Sequence, residues 1–249
     1  EGDDGSGTPL VVTDATFSSD DEDVIKIYNA PAGQPIGPGT ATVTATIGPI
    51  SCSVTLTVTV VPAEEGDVVI NEFMTDVEGD QNGDGTVDGV EDEFVEIANV
   101  SDQTVDLSGV TLHETDFAAL PRHTFADGTI LRAGEVIVVF GGGDAASLSV
   151  DHASFVVADN LDAGLLWGLN LNDSSDIIRL REPGGLLLAE LAYGGSFDAP
   201  AGSACSVNLS PEVWGSDYLL HTSLAPAVAS PGTQVDGSGF GGPDGRYGL

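Results

Sequence analysis

The densest chemistry in the chain lies in the twelve residues Asp80-Gln81-Asn82-Gly83-Asp84-Gly85-Thr86-Val87-Asp88-Gly89-Val90-Glu91. They place oxygen donors where a calcium loop needs them. Asp80, Asn82 and Asp84 take the first, third and fifth positions, and Gly85 supplies the sharp turn at the sixth. Thr86 offers its backbone carbonyl, Asp88 suits a water-mediated contact, and Glu91 closes the loop with a carboxylate able to use both oxygens. A hard cation of this size takes roughly six to eight oxygens, and alternate residues of a tight loop point inward. The competing reading is a solvated acidic turn, because Asp, Asn and Gly are what turns are made of. Both flanks, Val68–Phe73 and Phe94–Ala98, alternate as short strands. A metal here would be structural, unlike the helical calcium sensors that open a groove on binding.

Other residues with chemical potential lack partners in sequence. His113, His123, His152 and His221 form no H-E-x-x-H pair, and His113-Glu114 lacks the second histidine that zinc chemistry would need. There is no G-x-S-x-G elbow and no G-x-x-x-x-G-K-[ST] phosphate loop. Carboxylates are abundant, so an acid pair for sugar cleavage is not excluded by counting, but no motif assigns roles to them. No enzyme is expected. Trp167, inside an apolar stretch, reads as core; Trp214, in a loop flanked by proline and serine, is a candidate for stacking a sugar face. Asn71 and Asn99 flank strands and read as partners for loose backbone groups.

Composition narrows the partners. Forty acids face six bases, a formal charge of −34, and Lys26 is the sole lysine. That field repels nucleic-acid phosphates and anionic lipid heads, so neither is an expected partner. No run of eighteen apolar residues offers a membrane span. The opening residues Glu1–Thr8 read as a flexible acidic spacer, similar to the segment after the processed end of bacterial lipoproteins; a lipid anchor would then lie upstream of residue 1. Cys52 and Cys205 are either paired or free, and two cysteines do not reveal which.

The elements that must hold the acidic loop are all strands. No window sustains a helical period, and runs rich in β-branched residues recur between Gly, Pro and Asp turns. Val24–Tyr28, Thr40–Thr46 and Ser53–Val60 come first, the last placing Val54, Leu56, Val58 and Val60 on one side and threonines on the other. Later come Phe94–Asn99, Val105–Leu112, Glu135–Phe140, Leu169–Leu180 and Leu186–Tyr193. Strands at this spacing indicate an antiparallel sandwich.

Two families are resembled. Thr16–Ile27 (TFSSDDEDVIKI), Pro38–Gly48 (PGTATVTATIG) and Ser53–Val60 (SVTLTVTV) resemble the bacterial Ig-like group 2 family, in a copy short at its front. That resemblance implies a spacer or adhesion module. Ile70–Phe73 (INEF), Asp92–Asn99 (DEFVEIAN), Val105–Leu112 (VDLSGVTL), Phe125–Phe140 (FADGTILRAGEVIVVF), Leu169–Leu180 and Ser230–Gly237 (SPGTQVDG) resemble the lamin tail domain family in its bacterial secreted branch. Ser175 departs from it, standing where that family often has glycine. The resemblance implies an Ig-like β-sandwich with a non-catalytic role in attachment, scaffolding or display.

The expected fold is therefore all-β, with two Ig-like sandwiches, the second lamin-tail-like and carrying the acidic calcium loop as an insertion. The expected divisions are a spacer at 1–8, a first domain at 9–62, a linker at 63–66, a second domain at 67–236 and a glycine-rich tail at 237–249. The expected function is an exported module of a bacterial cell surface, binding an extracellular glycan or surface protein. Its competitor is a secreted hydrolase or a glycan-binding accessory domain.

Repulsion among about forty carboxylates is screened as the Debye length shrinks from about 10 Å at 0.1 M salt to about 3 Å at 1 M, whereas apolar burial responds little to monovalent salt. Thermal melting in a sodium chloride series should therefore give a rising midpoint. An unchanged midpoint would mean that the charges are neutralised locally.

Overall fold

The computed structural model describes residues 2–3, 9–10, 15–29, 32–35, 37–115, 120–159 and 168–241. Trp167 and the last eight residues of the expected tail lie outside them. The chain divides into two units, Glu1–Val60 and Val61–Leu249.

In the first unit β1 (Gly2–Asp3) pairs antiparallel with β2 (Pro9–Leu10), so the expected spacer contains a strand. After them come β3 (Thr16–Ser19), β4 (Ile25–Asn29), β5 (Ala32–Pro35), β6 (Gly39–Ile47) and β7 (Ile50–Val58). β3, β6 and β7 form one antiparallel sheet in that order, and β4–β5 is a separate hairpin. Alternation explains the sheet. Thr40, Thr42, Thr44 and Thr46 stand opposite Thr57, Thr55, Ser53 and Ser51, with Thr44 and Ser53 hydroxyls 2.8 Å apart. Ala41, Val43, Ala45 and Ile47 stand opposite Leu56, Val54, Cys52 and Ile50 on the other face. The hairpin covers part of this apolar face, packing Val24, Ile25 and Ile27 with Ala41, Val43 and Val58.

The second unit is a two-layer sandwich, entered by β8 (Val60–Pro62) at the boundary. Its further strands are β9 (Val68–Met74), β10 (Phe94–Asn99), β11 (Thr104–Asp106), β12 (Thr111–His113), β13 (His123–Thr124), β14 (Ile130–Leu131) and β15 (Val136–Phe140). β16 (Ala153–Val157), β17 (Ser175–Arg181), β18 (Leu187–Gly194), β19 (Val207–Ser210) and β20 (Asp217–Leu220) complete it, with one helical turn, α1 (His221–Leu224). One layer is the six-stranded sheet β16-β15-β10-β9-β19-β20; the other comprises β13-β12-β17-β18 and β14-β11-β8. Within the six-stranded sheet the pairs are antiparallel apart from β15–β16, which runs parallel from Val136↔Ala153 to Phe140↔Val157. The connection from Gly141 to His152 is long enough for the crossover that a parallel pair requires.

Between the layers, Ile70, Phe73, Val95, Ile97, Ile137, Val139 and Val207 meet Leu112, Ile178, Leu180, Leu191 and Tyr193. Phe73 and Tyr193 have ring centroids 4.7 Å apart. The six-stranded sheet is also covered on its other face. Ala98 and Val136 lie under Val213 and Phe240, while Met74, Phe94, Val138 and Phe140 lie against Ala145, Leu148, Phe155 and Ala229. Hence all six residues of β10 are buried, rather than alternate ones.

Two expected boundaries move. Residues 63–66 are not a linker: Ala63 is buried and donates to the Asp106 carbonyl, and Gly66 donates to that of Leu188. The segment around Gly237 is not a free tail either. Gln234 N donates to Ser238 O, its side chain to Gly239 O, and Phe240 is 2% exposed. A large aromatic side chain after a glycine turn gains most by entering an apolar gap, and the sheet's outer face supplies one. Both cysteines are free, Cys52 exposed and Cys205 buried.

Phe240→Ala should lower the stability of the second unit by about 3–5 kcal/mol, the usual range for deleting a buried phenylalanine. Urea unfolding read by tyrosine and tryptophan fluorescence measures it. A loss within experimental error would mean that the segment packs no core.

Candidate functional site

The acidic loop connects β9 to β10, the two central strands of the six-stranded sheet. Its own amides bind its carboxylates. Asp80 accepts from Gly83 N and Gly85 N, each at 2.8 Å, Asn82 Oδ1 from Asp84 N at 3.0 Å, and Asp84 from Thr86 N at 2.8 Å. Asp88 accepts from Val90 N and Glu91 N, and these bonds hold its carboxyl below the usual carboxylate range. Such contacts require Gly83 and Gly85 to take positive φ, 76° and 92°. The Glu91 carboxyl is raised, first by partial burial and then by the charges of Asp88, Asp84 and Asp92. Among the described residues, no three His, Cys, Asp or Glu side chains converge at metal-ligand separation.

Asp92 organises this loop. It is fully buried, accepting from Gln81 N at 2.7 Å, Asn82 N at 3.0 Å and Asp88 N at 2.8 Å. Motif reasoning missed it because it falls one place past the last donor position. Its acidic side chain immediately before a buried strand was the available signal.

A second segment seats the loop from behind. After β15, Gly141-Gly142-Gly143 passes so close that a Cβ at Gly141 would overlap the Val90 carbonyl, and one at Gly142 would lie 2.9 Å from the Glu91 side chain. Gly143 has φ 72°, and a Cβ there would strike the Asn82 amide and lie 2.6 Å from Asp84 Oδ2. Asn82, wholly buried, donates to Gly142 O at 3.2 Å, and Ser147 Oγ donates to Gly83 O at 2.8 Å. Of the predicted donors Asp80, Asn82, Asp84, Thr86, Asp88 and Glu91, the structure brings Asn82, Asp84 and Glu91 against this segment, at a seat that three absent side chains leave open. This oxygen-only set, with a seat a Cβ would fill, fits a hard cation.

Elsewhere the second unit holds a polar cluster that the sequence did not announce. Glu72 and Glu96 stand directly opposite each other on β9 and β10, both with no exposed surface. Glu72 accepts from the Ser206 hydroxyl at 2.5 Å, from Ser230 N at 2.9 Å and from the Ser230 hydroxyl at 2.8 Å. Glu96 accepts from Asn71 Nδ2 at 2.8 Å and Gly232 N at 2.7 Å. Val213 N donates to Asn71 Oδ1, and His221 Nδ1 lies 2.8 Å from Asn208 Oδ1 and 3.5 Å from Glu72. Burial, followed by the charge of Glu72, pushes the Glu96 carboxyl well above its usual range.

Serine, histidine and glutamate meet here, yet not as a nucleophilic triad. The Ser206 hydroxyl donates to Glu72, and Ser206, Glu72 and His221 have no exposed surface. The other histidines lie apart: His113 beside Thr111, His123 at 3.7 Å from Asp159, and His152 at 3.6 Å from Glu135. Arg122 and Glu114 form a buried ion pair at 2.7 Å. A groove of about 480 Å³ between residues 143–150 and β16 has Asp144 as its one ionisable lining residue. Trp214 is 57% exposed, on the loop after Pro211. Asn99 donates to the carbonyls of Gln103 and Leu131, the structural role expected of it. Among the described residues, no helix is long and apolar enough to cross a membrane.

Burial raises the Glu212 carboxyl to about 7, that of Glu93 to about 8, and that of Glu96 well above its ordinary value. A raised carboxyl stabilises the fold fully below its unfolded value and loses that contribution as pH rises through its folded one. Melting at constant high salt should therefore fall as pH rises from about 5 to about 8. Glu93→Gln, which keeps an acceptor for Leu171 N, should flatten the upper part of that slope. A midpoint independent of pH would contradict the assignment.

Compared with known families, residues 62–195, more than half of the chain, match the Lamin Tail Domain. No curated protein matches the chain. The matched span contains β9 and β10 with their INEF and EFVEIAN segments, the acidic loop between them, and both layers up to β18. The chain belongs to the lamin tail domain family, whose fold is Ig-like.

Proposed function

We propose that this chain is an exported, non-catalytic binding or structural module of a bacterial cell surface, with its second unit clamped by calcium. The lamin-tail-like unit would belong to the bacterial secreted branch, and the first unit to the Ig-like group 2 domains. The observation that carries a non-catalytic role is how the described buried ionisable groups are used. Glu72, Glu96, Asp92 and the Glu114–Arg122 pair each bind the protein's own amides, hydroxyls or guanidinium. The strongly acidic surface suits an exterior rich in cations and resists association with nucleic acid. A lipid anchor upstream of residue 1 would tether such a module.

Asp80, Asn82, Asp84, Thr86, Asp88 and Glu91 would hold the ion. Calcium would supply a fixed double positive charge that offsets the burial and the neighbouring carboxylates that raise the Glu91 carboxyl. Asp92 and the Gly141–Gly143 turn position the loop without belonging to the donor set. Since β9 and β10 are central strands, constraining their connection constrains the sheet.

A second reading rests on Trp214. An indole face this exposed, on a loop of a secreted β-sandwich, suits stacking on a sugar ring. The partner would then be an extracellular glycan, with the chain serving as the accessory domain of a hydrolase; a surface protein is the partner otherwise. Quenching of tryptophan fluorescence in a glycan panel, lost in Trp214→Ala, separates these two.

Binding only the folded state at a hundred times the dissociation constant adds about 2.7 kcal/mol. Melting with calcium should therefore exceed melting with chelator, both at constant high monovalent salt so that general screening cancels. Asp80→Ala with Glu91→Ala should abolish the difference, and Gly143→Ala should reduce it by displacing Asn82 and Asp84. If wild type melts identically in both conditions, the loop is a solvated turn.

A further inference from the structure

The first unit has an edge that protein sheets rarely leave bare. β7 is the outermost strand of β3-β6-β7, and among the described residues no strand pairs with its outer side. It is nine residues long, about 30 Å at the usual rise. Its register with β6 runs from Gly39↔Val58 to Ile47↔Ile50 without a bulge, and it contains no proline or charged residue. Bulges, prolines and charges are the devices by which edges avoid pairing with other chains. Beside the edge, Ile50 is 67% exposed, Val54 52% and Leu56 43%.

Charge says what fits there. In a chain of net charge −34, residues 27–63 contain no Asp, Glu, Lys or Arg. On the N-terminal side the nearest acids, Asp20 to Asp23, follow β3 at the opposite edge of the sheet, where Asp20 accepts from Thr42 N; on the C-terminal side they begin at Glu64, past the end of this unit. Two copies brought together almost anywhere else would oppose carboxylates. The strand β7 itself offers none. A strand paired antiparallel with its own copy about a two-fold axis is self-complementary, because each residue i facing j is matched by j facing i. Pairing would also join the two sets of exposed apolar side chains into one continuous surface, reducing their contact with water.

We propose that β7 is a homodimerisation edge, at which two copies of this chain pair antiparallel to make one sheet of six strands. Growth beyond two copies stops because the opposite edge, β3, is only four residues long and leads directly into Asp20–Asp23. The two-fold contact uses both β7 edges and leaves none open, so the assembly closes.

Sedimentation of the full chain over a hundredfold concentration range, at high monovalent salt, is the test. Wild type should pass from monomer to dimer, and the β7 amides that face away from β6 should become protected from hydrogen exchange as the dimer forms. Val54→Lys with Leu56→Lys should abolish the dimer by opposing charges across the two-fold. Thr55→Lys, on the hydroxyl face, should do the same while leaving the apolar face intact, so that a folding defect in the double variant would not decide the outcome. Circular dichroism checks that strand content is kept. A wild type that stays monomeric throughout overturns the proposal. A dimer that survives Thr55→Lys overturns it too, since another surface then holds the copies. Protection in the monomer of the β7 amides that face away from β6 would mean that the chain covers its own edge, and this also refutes the proposal.

Discussion

The second unit depends on how two glutamates are kept out of water. Glu72 and Glu96 oppose each other on neighbouring central strands, an arrangement that is unfavourable for like charges and worse when both are buried. It persists because donors surround them. Ser206, Ser230, Asn71 and the amides of Ser230 and Gly232 supply hydrogen bonds, and burial keeps Glu96 from ionising readily. Several donors come from the segment beyond β20, so the glutamates and that segment require each other. Remove the segment, and two carboxylates lose the partners that make their burial tolerable.

This dependence explains the burial of the six-stranded sheet on both faces. One face builds the sandwich core around Phe73 and Tyr193. The other has a polar centre at Glu72, Glu96 and Asn208, with apolar clusters on either side around Phe240 and Phe140. The acidic loop leaves and re-enters this same layer, because it joins β9 to β10. Its seat, Gly141–Gly143, leaves the end of β15, the neighbour of β10 on the other side. The loop is therefore bound at both ends and from behind by rigid strands, which suits a structural role better than a hinged one.

The first unit contrasts with this. Its apolar cluster is small, and much of β7 stays exposed. The threonine and valine alternation that makes its hairpin regular also makes its outer edge regular. Local order and an unguarded edge have the same cause.

The sequence alone determined the strands and the acidic motif. Both depend on neighbours in sequence: period-two alternation specifies a strand, and a run of Asp, Asn and Gly specifies a loop that folds on its own amides. Val68–Phe73 and Phe94–Ala98 were legible for this reason, each one residue shorter than the strand formed, as was the loop of Asp, Asn and Gly residues between them. Pairings over long separations were decided by the tertiary structure. Glu72 meets Ser230, Asn82 meets Gly142, and β15 gains a parallel neighbour, through contacts that no local pattern encodes. Alternation along β9 and β10 suggested one solvated face; the chain's last segment buried it. A residue's burial depends on everything packed above it. So Glu72 and Glu96, polar in sequence and surface-like in pattern, became the buried centre of the sheet's second face.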